Sequence, residues 1–381
     1  MNSDDLKSLI SQGENNSLEF KNKAVRIESL AKEIVAFLNA SGGTILIGVE
    51  DDGQISGVDL DKNWEEWCAN IVRQNINPPV SLKFNLVADT NLSIVVLTIP
   101  KGVDKPYQTF DGKFYIRVGS TNRVASPQEL MRLFQQSGIF HFDLTGVDGT
   151  SAKQLNYQKL AGYFEKYKLD FELLNEQEKS DLLINTDIAT EDLRLTVAGL
   201  MIFGINPQKY LRNASISFAH FEGNIISEKL YNKQNIEGNL DYQIDTATAI
   251  IKNNLKTPSE IKGNQRVENN SYPEKVFREL IVNACCHRNY SIYGSKTRIM
   301  LFDDRLEVIS PGKLPNTVTI EKLKAGVSYA VNPVIVKFME NLNYIDKLGR
   351  GLPMVHQEAR KLGKEVVFEE FGEEFKVKLY L

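Results

Sequence analysis

The sequence predicts an α/β chain in two parts, an N-terminal mixed sheet with helices and a C-terminal α/β sandwich. Three observations carry this. Apolar residues recur at helical spacing over 27–38 (Ile27, Leu30, Ala31, Ile34, Val35, Leu38), and a Ser41-Gly42-Gly43 break leads from them into an apolar strand. A second helical pattern, 274–286, precedes two β-rich runs split by Asp303-Asp304, so helices alternate with an antiparallel hairpin and not with a parallel doubly wound sheet. Between the two parts, the polar, Gly-containing stretch GVDGTSAKQ reads as a linker.

In chain order, the helix over 27–38 is followed by a strand at 44–49, a turn at Asp51-Asp52-Gly53 and a short second strand to Val58, a helix docked on a hairpin. A helix over 64–74 is stopped by Pro78-Pro79, and 81–87, 93–100 and 113–118 read as strands. Ser126 then caps a helix with Pro127 at its first position. Helical patterns follow at 156–166 and 176–183, while TVAGLMIFG and ASISFAHFEG read as buried strands on either side of Asn206-Pro207. A long helix is expected over 240–255. The last part holds the helix 274–286, strands at 296–302 and 305–310, two helices flanking Gly349-Arg350-Gly351, and a closing strand at 374–381. The expected domains are 1–140, a linking segment 150–270 that joins the C-terminal domain, and 271–381.

At 381 residues, 42% apolar and 25% charged, the chain has the composition of an ordinary soluble protein. A net charge of -4 neither supports nor excludes a nucleic-acid partner, because a basic patch can sit on a mildly acidic protein. Three cysteines (Cys68, Cys285, Cys286) cannot build a disulfide framework, and Cys285-Cys286 cannot turn both thiols to one ion from a regular helix. No stretch approaches the roughly 20 apolar residues that span a bilayer, so the expectation is a cytoplasmic protein without a membrane partner.

Two constellations carry chemistry. In the first, Glu14 and Glu19 precede a helix, and Glu50, Asp51 and Asp52 end the following strand. Several carboxylates at one point would suit Mg²⁺ or Mn²⁺, which take hard oxygen ligands, and Lys21, Lys23 and Arg26 add the cations a phosphate backbone needs. On spacing alone the plainer reading prevails: solvated glutamates, a hairpin turn and a glycine helix cap. The order of the blocks adds a resemblance. Glu14-x4-Glu19-Phe20-Lys21, then AFLNASGGTILIGVEDDGQISGV, then FYIRVGSTNRVAS, is similar to the Schlafen AlbA-type nucleic-acid-binding domain over residues 12–136. By that resemblance Glu14, Glu19 and Asp51 would hold a metal in nuclease-active members, with Lys21 on the phosphate. Arg117 and Arg123 would be phosphate contacts, set against ordinary ion pairs, and Tyr115 a core residue.

In the second constellation, Glu279, Asn283 and His287 lie four apart and stack on one helix face, beside Val282 and Cys286. Such a stripe suits a partly enclosed groove, or a helix surface with a buried asparagine. Glu279-x3-Asn283-Ala284 resembles the N-box of the GHKL nucleotide-binding fold, where the asparagine ligates Mg²⁺ and the glutamate orients water. GRGLPMV resembles its Gly-x-Gly-Leu block, whose helix N-terminus meets the phosphates. Over 196–381 the chain is similar to the C-terminal domain of RecG-related transcriptional regulators. That implies ATP at Glu279, Asn283, His287, Gly312, Gly349 and Gly351. Where GHKL proteins carry Asp-x-Gly-x-Gly, whose aspartate reads adenine, this chain has Ser310-Pro311-Gly312-Lys313-Leu314.

The expected function is therefore a DNA-binding regulator under nucleotide control. The alternative is a Schlafen-like nuclease acting on RNA or single-stranded DNA, with phage defence as its expected setting. A homo-oligomer is a further expected partnership.

Overall fold

The computed structural model describes residues 3–89, 92–255, 259–262, 265–268, 272–327, 329–346 and 349–381. The chain divides into two compact units, 1–140 and 141–381.

The first unit runs α1 (Ser3–Ile10), β1 (Leu18–Lys21), α2 (Ile27–Asn39), β2 (Gly43–Ile47), α3 (Trp64–Asn75), β3 (Ile76–Asn77), β4 (Lys83–Asp89), β5 (Leu92–Ile99), β6 (Gln108–Thr109), β7 (Tyr115–Val118), β8 (Thr121–Val124) and α4 (Pro127–Ser137). Its main sheet has the order β1-β2-β5-β4, with β1 parallel to β2 and the other pairs antiparallel. Strand alternation sorts the side chains into two layers. Ile45, Ile47, Val95 and Leu97 meet Leu30, Ile34 and Phe37 of α2 and Trp64, Cys68 and Ile71 of α3. Leu18, Phe20, Leu46 and Val96 pack on the opposite face with Leu6 of α1. It follows that Glu19 and Lys21, which alternate with Leu18 and Phe20, face the α2 layer.

The expected hairpin over 44–58 forms only at its tip. β2 takes β1 and β5 as neighbours, and beyond it a single bridge, Val49 to Ile55, closes the turn. The run after Gly53 has too few apolar residues to compete with β5. The expected strand at 113–118 pairs instead with β8 in a separate two-stranded hairpin. Ser126 caps α4 with a capping box, Glu129 returning a bond to the Ser126 N–H.

The second unit runs α5 (Tyr157–Glu165), α6 (Glu176–Asn185), α7 (Val197–Phe203), β9 (Ile216–Phe221), β10 (Leu230–Ile236), α8 (Leu240–Asn254), β11 (Ser259–Lys262), β12 (Gln265–Glu268), α9 (Glu274–Cys286), β13 (Thr297–Leu301), β14 (Arg305–Pro311), α10 (Ile320–Lys324), α11 (Pro333–Asn341), α12 (Gly351–Lys361), β15 (Val366–Phe371) and β16 (Glu374–Tyr380). Its main sheet has the order β10-β9-β13-β14-β16-β15, parallel only between β9 and β13, so 216–236 belongs to the same sheet as the C-terminal strands. Helices α8, α9 and α12 pack side by side, with α9 against β14.

TVAGLMIFG is a helix, α7, and not the strand its apolar run suggests. All seven of its residues are buried, so neither helical nor strand periodicity is visible. The capping residue decides: the Thr196 hydroxyl accepts from the Gly199 N–H at 2.9 Å and donates to the Asp187 carbonyl at 2.6 Å.

Gly42 is the tightest point of the α2–β2 connection. It sits at φ +83°, and a Cβ there would lie 2.6 Å from the Ile99 carbonyl oxygen and 2.7 Å from the Lys101 nitrogen, both backbone atoms. A Gly42→Ala variant is expected to lose about 2 kcal/mol or more of stability, through backbone strain and overpacking, read as a lower urea midpoint with unchanged slope.

Candidate functional site

In the first unit the residues of the Glu14-x4-Glu19 block meet a buried charge network. Glu19 bonds Lys21, and its Oε2 lies 2.6 Å from Arg117 Nη1. Glu33 of α2 joins them: Arg117 Nη1 is 3.4 Å and Lys21 Nζ 3.8 Å from its carboxylate, and the Asn122 amide donates to it. Arg117 also donates to the carbonyls of Asn15 (2.7 Å) and Leu18 (3.0 Å), with its guanidinium 4.7 Å from the Phe37 ring centre. Two carboxylates thus face two cations. Burial, then repulsion by Glu19, pushes the Glu33 carboxyl up, while Lys21 and Arg117 oppose this.

This arrangement corrects two expectations. The Arg117 side chain is 1% exposed and ties β7 to β1 and α2, so it is not a surface phosphate contact. The Glu14, Glu19 and Asp51 ligand set is not assembled: among the described residues no group of three or more His, Cys, Asp or Glu side chains is placed to hold a metal ion. Glu14 Oε1 accepts from the Phe20 N–H at 2.9 Å, Glu19 is committed to its cations, and Asp51 is exposed in its turn. Glu50 and Asp52 belong to the same turn, the Asp52 carboxylate accepting from the Gln54 N–H at 2.9 Å.

The remaining cations are exposed. Lys23 pairs with Asp59 at 3.0 Å, Arg26 precedes the first turn of α2, and Arg123 pairs with Glu129 through two bonds of 2.7 and 2.8 Å, which holds the Glu129 carboxyl down at about 2.

In the second unit α9 lines a pocket of roughly 940 Å³ of empty space, open solvent at its mouth included. Glu279, Asn283 and His287 all line it, with Ser310, Gly312 and Lys313 from the end of β14 and Gly349 from the turn before α12. The rest of the wall is mainly apolar, including Leu280, Val308, Val318, Leu352 and Val377. Asn283 donates from Nδ2 to Glu279 Oε1 at 2.6 Å and to the Glu279 carbonyl at 2.8 Å, which leaves its side-chain oxygen as the free acceptor. That oxygen and the Glu279 carboxylate are hard donors of the kind a Mg²⁺ shared with phosphates accepts, so the residues present fit the expected ion. Burial raises the Glu279 carboxyl, against the bond from Asn283. It lowers His287 to about 4, so the imidazole is neutral.

Glycine brings α12 this close. A Cβ on Gly351 would sit 1.7 Å from Glu279 Oε1, and one on Gly349, at φ +64°, 2.2 Å from the Gly326 carbonyl oxygen. Gly351 is not itself on the pocket wall; its role is to let the Glu279 carboxylate reach the start of α12. At the other end of the stripe, the Ser310 hydroxyl donates to the Ala284 carbonyl at 2.7 Å and the Asn289 N–H to the Pro311 carbonyl at 2.7 Å. Cys68, Cys285 and Cys286 are buried and free, with burial raising all three thiols.

Two measurements follow from these environments. Glu19→Ala or Arg117→Leu strands buried charge of the opposite sign, so each is expected to cost the protein about 3–5 kcal/mol in urea unfolding. A melting temperature unchanged by Glu19→Ala would contradict the network. For His287 the folded pKa lies below its unfolded value, so its contribution is complete above the unfolded value of 6.5 and is lost as pH falls toward 4, up to about 3 kcal/mol. His287→Gln is expected to flatten that part of the stability–pH curve; parallel wild-type and variant curves between pH 7 and 4 would refute it.

Comparison with known proteins gives two matching families. Residues 14–126 match the model described as "Schlafen, AlbA_2", and residues 294–379 match "Putative ATP-dependent DNA helicase recG C-terminal". Glu279, Asn283 and His287 lie before the second match, and Gly312, Gly349 and Gly351 within it. Among solved structures, the DIP2311 protein of Corynebacterium diphtheriae is 19% identical, with 99% of this chain and 79% of that one aligned and a TM-score of 0.48. The N-terminal domain of a "Putative ATP-dependent DNA Helicase RecG-related Protein" from Nitrosomonas europaea is 21% identical, with 33% of this chain and 94% of that one aligned and a TM-score of 0.26. No helix among the described residues is long and apolar enough to cross a membrane. The chain joins an N-terminal Schlafen, AlbA_2 domain to a C-terminal domain of the recG C-terminal, HATPase type.

Proposed function

We propose that the protein is a DNA-binding regulator in which the N-terminal domain binds nucleic acid and the C-terminal domain binds a magnesium–purine nucleotide that controls it. The observation that carries the nucleotide part is the pocket uniting the Glu279–Asn283 pair with the glycine turn before α12. The family matches support a nucleic-acid-binding, ATPase-like protein. On this reading Asn283 and Glu279 hold the ion, which neutralises phosphate charge when bound, and the apolar wall takes the base.

In the N-terminal domain the exposed cations Lys23, Arg26 and Arg123 are the proposed phosphate contacts. Lys23 has only the exposed Asp59 as its partner, so exchanging it for a phosphate costs little, whereas Arg123 would have to leave two bonds to the partly buried Glu129. Lys21 is the inner cation of the site, one-fifth exposed and shared between Glu19 and Glu33. The nuclease alternative gains no observation from the described residues, since Glu19 is committed to Arg117 and no ligand set is formed.

The test has two arms. Millimolar ATP with Mg²⁺ is expected to raise the melting temperature of the wild type and not of Asn283→Ala. DNA binding is expected to weaken steeply with salt, and the combined Lys23→Ala, Arg26→Ala and Arg123→Ala variant to reduce the slope by up to about 3, while the DNA stays intact. No shift with ATP would remove the nucleotide part, and a salt-independent affinity the nucleic-acid part.

A further inference from the structure

We infer that Lys324 and Arg360, where the end of α10 meets α12, form a second contact for the phosphate backbone of a nucleic acid, carried by the C-terminal domain. This rests on the nucleic-acid part of the reading above and extends it beyond the N-terminal cations.

Close packing brings the two side chains to one face. Gly326, just past α10, lies so near α12 that a Cβ there would sit 3.2 Å from Pro353 Cγ and 2.8 Å from the Gly349 carbonyl oxygen. His356 and Arg360 follow Pro353 at intervals of three and four, so they continue the same face of α12. On α10, Leu323 turns to the pocket wall, and Lys324, the next residue round the helix, is exposed, as is Arg360. Both cations act on one imidazole: burial, then the charges of Lys324 and Arg360, hold His356 below its ordinary value.

A cation in the last turn of a helix is ordinarily a solvated side chain favoured by the dipole. What sets this pair apart is the acid it lacks. The Glu321 carboxylate bonds its own N–H and the Thr319 hydroxyl at the start of α10, and Glu358 is taken by Lys275 at 3.0 Å and Lys361 at 3.2 Å. His356 supplies no negative charge; its Nε2 is closed off from solvent without a hydrogen-bond partner among the described residues, with the Phe368 ring 5.3 Å away between centres. Two like charges over a half-buried ring repel, and a phosphate, which accepts charge-assisted bonds, is the counter-charge they want. The pair is exposed and unwalled, so water and salt would strip a free anion from it. A backbone that makes many such contacts at once is held by their sum, which favours nucleic acid over the single ion.

The experiment measures binding of the full chain to a DNA duplex of about 20 base pairs by fluorescence anisotropy across a salt series. Lys324→Ala with Arg360→Ala is expected to lower the slope of log affinity against log salt by about 2, and the affinity at about 0.1 M salt at least tenfold. Lys361→Ala, one step round α12, is expected to change affinity less than about twofold. In the wild type, the NMR titration midpoint of His356 is expected to move up when DNA neutralises the two cations, a readout that needs no variant to fold. Binding untouched by the double variant, an equal loss from Lys361→Ala, or a His356 shift with inorganic phosphate and none with DNA each overturns this inference. A loss confined to the Lys23, Arg26 and Arg123 variant overturns it too and leaves the N-terminal contacts standing. A wild type that binds no DNA overturns both.

Discussion

A charged side chain inside protein must find its counter-charge there, and in the N-terminal domain this constraint decides which elements touch. Arg117 is buried between Glu19, Glu33 and the carbonyls of Asn15 and Leu18, so one guanidinium joins β1, α2 and β7. The desolvation cost is offset because Arg117 donates directed bonds to Asn15, Leu18, Asn122 and Glu33 beside its ion pair with Glu19, and because Lys21 balances the second carboxylate. Glu19 and Lys21 are therefore held by the same alternation that buries Leu18 and Phe20. The residues that would make this block a metal centre are the ones the fold uses to hold itself together.

The C-terminal pocket follows a different logic, in which absence of side-chain volume is what counts. α9 carries Glu279, Asn283 and His287 along one face, and α12 closes on that face because Gly351 at its start leaves room for the Glu279 carboxylate. A side chain at Gly351 would push α12 away and open the pocket at its polar end. Gly312 plays the same part at the other end, where a Cβ would meet Asn289. Gly312, Gly349 and Gly351 thus each permit a close approach at the pocket or its rim, and α9 supplies its polar stripe.

How much of this is legible in the sequence depends on how each residue's environment shows in its neighbours. α3 and α8 are legible because one side of each is wet, so their apolar residues repeat with the helical period, and α2 and α9 because their first turns are exposed and polar residues stand at helical spacing among the apolar ones. α7 is not, because burial on all sides erases the period, and only Thr196 ahead of it marks a helix start. The polar stripe of α9 and the glycines at 312, 349 and 351 show directly in spacing, and they end at one pocket or its rim. The role of Arg117 is hidden, since an arginine in a strand reads as a surface cation. Two signals bear on it: Glu19 must point away from Leu18 and Phe20, and Glu33, three residues after Leu30 and four before Phe37, stands on the buried stripe of α2. Glu33 completes the network and was not singled out by any motif.

Charge also constrains what the pocket can take. Its wall holds the half-buried Glu279 carboxylate, raised by desolvation, and one lysine that already faces Glu373. A polyphosphate entering alone would bring anions into an apolar, partly enclosed space beside an acid, where the effective dielectric is low and repulsion strong. The dipole of α12 offsets only part of this, since a helix N-terminus amounts to about half a charge. A divalent ion held by the Asn283 oxygen and the Glu279 carboxylate would reverse the sign of that balance, making Glu279 a favourable neighbour instead of a repelling one. On the nucleotide reading, then, the species that fits this pocket is the metal complex and not the free anion, and the Glu279–Asn283 pair is what makes that distinction.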